Sequence, residues 1–374
     1  MRAYGSASSF AAVLIMLGSS WVQADVLIGS AAPLTGQLAW HGETQERGIQ
    51  VAVSEINAAG GLLGETVETV VADDHCDPQQ AVAAANKLIA DGVDVVIGHP
   101  CSGAAISASK VYADAGGLMI TTTATNPMVT DQGFAQTFRM VARDTLQAEM
   151  AAAYLAEHRA HRRIAILHDG QAFGQGLAEV TKTELNRRGV TEVIYEQITP
   201  GKADYLDTLA ELEVAGIEVL FYGGYQREAA LLIRQARDHG YDLQMIGGDA
   251  LLHEDFWHVA GPAAVGVRFL SMVDPRTNER AAPVVEMFRA EGFEPEGFTL
   301  YAYAAVEVWA QAVEQAGTVE PKAVAEALHG HQFDTVLGRI GFDKKGDVYG
   351  YEPFVWYVWQ NGDYALVDPA KLTD

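Results

Sequence analysis

The residues best suited to hold a small molecule sit in loops that follow apolar runs. His99-Pro100-Cys101-Ser102 follows one such run and opens a helical pattern. Ser102 there offers a hydroxyl beside the backbone N–H groups that a helix start leaves unpaired. Residues 121–127, Thr-Thr-Thr-Ala-Thr-Asn-Pro, follow the next run and add hydroxyl and amide donors. Together they could hold a carboxylate without any Arg or Lys. Further along, Gly223-Gly224-Tyr225 and Gly247-Gly248-Asp249 place a phenol and an acid after permissive glycines. An acid in a cleft is a good partner for an ammonium group. Singly, each Ser or Thr reads as a helix cap and Asp249 as a turn residue. In combination, anion donors facing an acid and a Tyr suit a zwitterion such as an amino acid. Trp40, in the loop after the first apolar run, could cover an apolar side chain.

Signatures of catalysis are missing. There is no G-x-S-x-G elbow. Gly201-Lys202 is followed by Ala203, which breaks a phosphate-binding loop. Gly174-Gln175-Gly176 begins a dinucleotide fingerprint, but Glu179 stands where its third Gly belongs. His253-Glu254 is followed by Trp257 where a zinc helix needs its second His. No metal ligand set or cofactor motif emerges, and no catalytic residue can be named.

The elements that must position these loops alternate. Val26–Ala32, Thr66–Ala72, Asp94–Gly98 and Leu118–Thr122 read as strands. Helical spacing is expected over Glu43–Ala59, from Pro78 to Ile89, and over Ser102–Ala115. A second series runs from a helix at Thr145–Glu157 through strands at Arg163–His168, Glu192–Tyr195, Glu218–Tyr222 and Leu243–Gly247. Its other helices are Phe173–Arg188, Tyr205–Ala215 and Gln226–His239. A helix at Leu300–Gly317 and a strand-rich tail at Arg339–Val367 follow. Two such series predict an α/β fold of two doubly wound parallel-sheet lobes. Ligands in such sheets sit beyond the carboxyl ends of the strands.

The chain has 374 residues, with 25 Lys and Arg against 49 Asp and Glu, a formal charge of −24. That composition is globular, and its charge argues against sequence-independent nucleic-acid binding and against a polybasic contact with lipid. Residues 1–24 carry Arg2, a short apolar run from Phe10 to Leu17, and the ending Val22-Gln23-Ala24. This reads as a secretory signal peptide cut after Ala24, too short in its apolar part to span a bilayer. The expected compartment is oxidising. Cys76 and Cys101, the only cysteines, then form a disulfide or remain two buried thiols.

Across residues 25 to about 359 the chain resembles the periplasmic leucine/isoleucine/valine-binding proteins, soluble receptors of ABC importers. The stretches that carry the resemblance are Asp73 to Val82, Val96-Ile97-Gly98-His99 with Cys101-Ser102, and Ala124-Thr125-Asn126-Pro127. Arg163 to Asp169, Tyr222-Gly223-Gly224-Tyr225 and Tyr303-Ala304-Ala305-Val306 follow in family order. The resemblance implies a Cys76–Cys101 disulfide. It implies that Ser102, Thr123 and Thr125 belong to a carboxylate-binding loop, with Ala124 among the ligand-binding residues. Tyr225 and Asp249 match ammonium-binding positions, and Trp40 matches an aromatic of the side-chain pocket. Three departures stand out. Asp249 replaces a Glu, Phe173 replaces a Tyr at a ligand-binding position, and the region Phe298–Tyr301 needs a one-residue gap.

The resemblance further implies lobes of 25–143 with 273–349 and of 144–272 with 350–374. They would be joined by three hinge crossings, with the ligand cleft between them. The implied function is a periplasmic receptor for a branched-chain or other aliphatic amino acid. It would close on its ligand as a monomer and deliver it to a membrane permease, with no cofactor, nucleic acid or membrane insertion. The rival expectations are an aromatic acid, amide or urea-like ligand on the same fold, or an exported hydrolase.

Overall fold

The computed structural model describes residues 26–367. The expected export segment 1–24 lies outside the described residues. β1 (Val26–Ala32), β2 (Val67–Asp73), β3 (Val95–Gly98), β4 (Met119–Thr121) and β5 (Thr137–Arg139) form a parallel sheet in the order β2-β1-β3-β4-β5. β6 (Ile164–His168), β7 (Ile194–Gln197), β8 (Val219–Gly223), β9 (Gln244–Gly247) and β10 (Arg268–Ser271) are the parallel part of a second sheet. β11 (Gln332–Thr335), β12 (Gly338–Phe342) and β13 (Val348–Tyr349) make a small antiparallel sheet. β14 (Val355–Gln360) and β15 (Asp363–Leu366) then return to the second sheet, ordered β15-β14-β10-β9-β8-β6-β7. The strands are short and apolar because helices cover both faces: all five residues of β6 and of β8 are buried.

Helix ends follow local chemistry. The Asp77 carboxylate accepts from the Gln79 and Gln80 N–H groups, and Pro78 occupies the first position of the helix Pro78–Asp91. The helix Ala39–Ala58 begins four residues earlier than its apolar spacing suggests. It packs against the helix Thr299–Ala316 at Gly48, where a Cβ would lie 2.3 Å from the Thr299 carbonyl oxygen. That close approach brings residues from opposite ends of the chain onto one layer.

The second sheet departs from the all-parallel expectation at its edge. β14 runs antiparallel to β10, and β15 to β14. The two-residue loop Asn361-Gly362, with φ of 45° and 96°, turns the chain back directly instead of through a crossover helix. The sequence pattern does not mark strands β5 and β10. The helices Ala282–Ala290 and Pro321–Gly330 were likewise not expected.

At the end of β5 the Arg139 guanidinium is fully buried. Its Nε donates to the Asp347 carboxylate at 2.7 Å, and Nη1 donates to the carbonyls of Ala124, Thr125 and Asn126 at 3.2, 2.8 and 2.9 Å. Its backbone N–H reaches the Gly346 carbonyl at 3.0 Å. Replacing Arg139 by Ala leaves three buried carbonyls without their donor and Asp347 with only Arg143 and Thr130, so urea unfolding of Arg139→Ala should show a loss of about 3–5 kcal/mol. A loss below about 1 kcal/mol, the range of a surface pair, would remove this network from the fold's supports.

Candidate functional site

The expected loops converge. The helix Ser102–Ala115 starts just beyond β3, Thr123 and Thr125 follow β4, Phe173 follows β6, Tyr225 follows β8 and Asp249 follows β9. Each lies at the carboxyl end of its strand, where the two doubly wound sheets leave their crevices. One cavity is lined by Ser102, Thr123, Thr125, Phe173, Tyr225 and Asp249 together with His41, Pro100, Ala250 and Phe298.

One wall consists of hydroxyl and amide groups. Ser102 is the first helical residue rather than a cap, and Cys101 before it makes no side-chain cap. The Ser102 hydroxyl accepts from the Asn126 N–H at 3.3 Å, which leaves its own hydrogen to donate. Thr123 is arranged the other way. Its hydroxyl donates to the Pro100 carbonyl at 2.9 Å and therefore presents lone pairs. Ala124 lies in this loop without lining the cavity; its carbonyl is held by Arg139. The Cys76–Cys101 disulfide, with Cα atoms 5.4 Å apart, staples the start of this wall. The Tyr225 hydroxyl lies 3.7 Å from the Cys76 sulfur, and the Tyr225 and Phe173 rings pack 5.3 Å apart.

The other wall carries charge. Asp249 is buried, and among the described residues no cation pairs with it. Gln147 holds it: the Gln147 Nε2 donates to the carboxylate at 2.9 Å while its Oε1 accepts from the Asp249 N–H at 3.1 Å. The same Nε2 reaches Asp144 at 3.3 Å. Burial pushes Asp249 up to about 6. Asp144, behind it, is pushed well above the usual carboxylate range by burial and by the Asp249 charge, against a hydrogen bond from Thr125. The Asp249 carboxylate, held by a neutral amide, leaves negative potential that a bound cation would relieve.

At the aromatic end Trp40 lies in a helix and not in the expected loop. Because the helix begins at Ala39, Trp40 and His41 both lie in its first turn and point roughly 100° apart. His41 faces the cavity, whereas Trp40 stacks on the outer side between His41 at 3.8 Å and His253 at 3.9 Å. Phe298, from the region that needed a gap, lies on the cavity. His253 and Trp40 border a separate surface depression, and the His253 Nδ1 accepts from the Asp255 N–H. Contacts cross between the two sheets here. Trp40 meets His253, and the Asn126 Nδ2 donates to the Ala172 carbonyl at 2.6 Å.

The glycines of Gly174-Gln175-Gly176 serve this closeness and not a phosphate. A Cβ on Gly174 would lie 2.5 Å from the Gly223 carbonyl oxygen, and one on Gly176 would lie 2.6 Å from the Asn126 Nδ2. Sequence reasoning missed His41, Gln147, Asp144 and Arg139. The pair Asp144 and Gln147, three apart at a helix start, was a visible signal of two polar side chains on one face. The buried Arg139 left none.

The chain matches the periplasmic binding protein family over residues 25–362. It is 43% identical over 365 residues to Leu/Ile/Val-binding protein homolog 1 of Brucella suis, covering 97% of this chain and 98% of the relative. A crystal structure of a leucine-binding protein from Thermotoga maritima superposes with a TM-score of 0.83 at 25% identity, covering 92% of this chain and 99% of that one. The substrate-binding protein of a branched-chain amino acid transporter from Streptococcus pneumoniae, solved in complex with isoleucine, superposes at 0.80 and 25% identity, covering 92% and 100%. With hydroxyl donors and a buried acid converging on one cavity between two doubly wound sheets, and with these likenesses along nearly its whole length, the chain belongs to the periplasmic binding protein family.

Proposed function

We propose that this chain is the periplasmic receptor of an ABC importer and that its ligand is an α-amino acid, of the branched-chain or other aliphatic class that its relatives' names indicate. The observation that carries the reading is Asp249, a buried carboxylate without a cationic partner among the described residues, on the same cavity as the Ser102 hydroxyl. A ligand carboxylate would take the Ser102 hydroxyl and the N–H groups of the first turn of Ser102–Ala115. Its ammonium would reach Asp249, with lone pairs of Thr123 beside it. A plain carboxylic acid would leave Asp249 unpaired in the cleft.

The mechanism follows from which side of the cleft each contact occupies. Residues 25–143 with 273–349 form one lobe in this reading, and 144–272 with 350–374 the other. The open receptor binds the carboxylate on the first lobe, and closure about three hinge crossings brings up Asp249 and Tyr225. A zwitterion that touches both lobes binds the closed form better than the open one, which is what drives closure. The closed complex is then the form presented to a membrane permease. Among the described residues no helix is long and apolar enough to cross a membrane. No chemical step is assigned to the site, since none of its groups forms a nucleophile–base pair.

Thermal unfolding of residues 25–374, refolded to strip ligand, tests the reading against a panel of amino acids, aromatic acids and amides. An amino acid at 100 times its Kd should add about 2.7 kcal/mol of stability. Stabilisation only by molecules lacking an ammonium would overturn it, and a ligand returned chemically altered would point to a hydrolase. Titration calorimetry of Asp249→Ala should show a loss of about 2–5 kcal/mol in amino-acid affinity. Unchanged affinity would move the ammonium elsewhere.

Affinity should also depend on pH with a definite sign. Burial in this structure pushes Asp249 up to about 6, and a bound ammonium would pull it down. Binding is therefore strongest above that pH and weakens as pH falls through it, by up to about tenfold per pH unit, with a proton released on binding. Calorimetry in buffers of different ionisation enthalpy would detect that proton. A pH-independent Kd across this range would count against Asp249 as the ammonium's partner.

A further inference from the structure

We propose that Gln147 is the positioning residue of the ammonium subsite: it holds one Asp249 oxygen and the Asp249 backbone, leaves the other oxygen to the ligand, and so settles which of two buried acids meets the ammonium. The inference rests on the amino-acid reading above and deepens it at the same site. Gln147 is buried near the start of the helix Asp144–His158 and does not itself line the cavity. Its Nε2 donates to the Asp249 Oδ1 at 2.9 Å, and its Oε1 accepts from the Asp249 N–H at 3.1 Å. A reversed amide would set oxygen against carboxylate and nitrogen against N–H, so one orientation alone fits. The same Nε2 also faces the Asp144 Oδ1, farther off at 3.3 Å. No side chain among the described residues donates to the second Asp249 oxygen, Oδ2.

The backbone is built around this clamp. Gly248 has a φ of −97°, which any residue can adopt. Yet a Cβ there would lie 2.3 Å from the Gln147 Oε1 and 2.7 Å from the Leu177 Cδ2. The glycine serves the close approach of the amide and not its own conformation. Two neighbouring buried carboxylates do not both ionise readily, and the better hydrogen-bonded one keeps the charge. Here that one is Asp249, on the cavity, pushed up to about 6 by burial against the Gln147 hydrogen bond. Asp144 is pushed well above the usual carboxylate range by burial and by the Asp249 charge, even with Arg139 near it. Without the amide, Asp249 loses its only side-chain donor and rises further. The phenols of Tyr225 and Tyr301 also face Asp249, and burial holds both well above their usual range. His41, on the same cavity, is held down at about 3 by burial. None of these three changes charge near neutral pH, so a binding profile there reports Asp249.

Gln147→Met keeps the length of the side chain and removes its hydrogen bonds. Leucine, isoleucine, valine or alanine, whichever binds wild type most tightly, should be titrated calorimetrically into refolded residues 25–374 of both chains from about pH 5 to about pH 9. Near neutral pH the variant should bind about tenfold or more weakly, and the pH at which affinity falls away should move up from about 6 by about one unit. The gap should narrow as pH falls, because a protonated Asp249 holds no ammonium in either chain. Selectivity should move with it. Wild type should prefer the amino acid to its α-hydroxy analogue, and that ratio should fall about tenfold in Gln147→Met, where a protonated Asp249 accepts a hydroxyl as readily. A role in folding alone would lower the unfolding temperature and leave that pH and that ratio unmoved, which overturns the inference. Affinity unchanged in Gln147→Met but lost in Asp249→Ala overturns it too, and leaves the amino-acid reading intact. If no amino acid binds folded wild type, or Asp249→Ala binds as tightly as wild type, the reading fails and the inference with it. Should Gln147→Met fail to fold, Gly248→Ala displaces the amide with both acids in place; the same shifts are expected of it, and their absence is equally fatal.

Discussion

A guanidinium with no access to water must satisfy all its donors from the protein, and Arg139 does so by gripping two distant stretches at once. One is the loop 124–126, whose three carbonyls it holds; the other is Asp347, 208 residues further along the chain. The first borders the cavity and the second lies beside the chain's last passage toward the second sheet. Neither can shift without leaving a buried charge unpaired. The hydroxyl wall of the cavity is therefore fixed relative to the strand ends that carry it. Arg143 extends the grip, donating to Asp347 at 3.1 Å and pairing with Asp131.

Against this rigid wall stands one that is electrostatically incomplete. Asp249 and Asp144 are both buried and both pushed toward the protonated form, and Gln147 is their shared neutral partner. Asp144 feels the Arg139 charge, whereas no Lys or Arg pairs with Asp249 among the described residues. Here the missing positive charge is the property that a ligand can supply. Contacts already cross between the two sheets without a ligand: the Asn126 amide on the Ala172 carbonyl, Trp40 on His253, and Tyr225 against the Cys76 sulfur and edge-on to His41.

Much of this was legible beforehand. Apolar runs separated by helical spacing marked most strands of both sheets. The strand-end rule then picked out Ser102, the loop 121–127, Tyr225 and Asp249, the resemblance singled out Thr123 and Thr125 within that loop, and the fold gathers these side chains on one cavity. The placement of Trp40 is instructive. The helix was expected from Glu43, which left Trp40 in a loop free to face any direction. Starting at Ala39, the helix assigns each residue of its first turn a direction, and a one-residue step is a rotation of roughly 100°. His41, next to it, faces the cavity instead.

The sequence by itself determined what depends on near neighbours along the chain. Those are the strand and helix pattern, the Asp77 and Pro78 start of one helix, and the identity of the donors and acid available at strand ends. Tertiary structure decided what depends on partners far apart. It chose which ring of the Trp40-His41 pair meets the cavity, gave Asp249 its amide clamp from Gln147, 102 residues away, and buried Arg139 against Asp347. It also turned the glycines of Gly174-Gln175-Gly176 from a nucleotide signal into a close-packing device. The reason is common to all of these. Burial and the direction of a side chain are set by which elements pack together, and hydrogen bonds among buried groups are chosen only once water has been excluded.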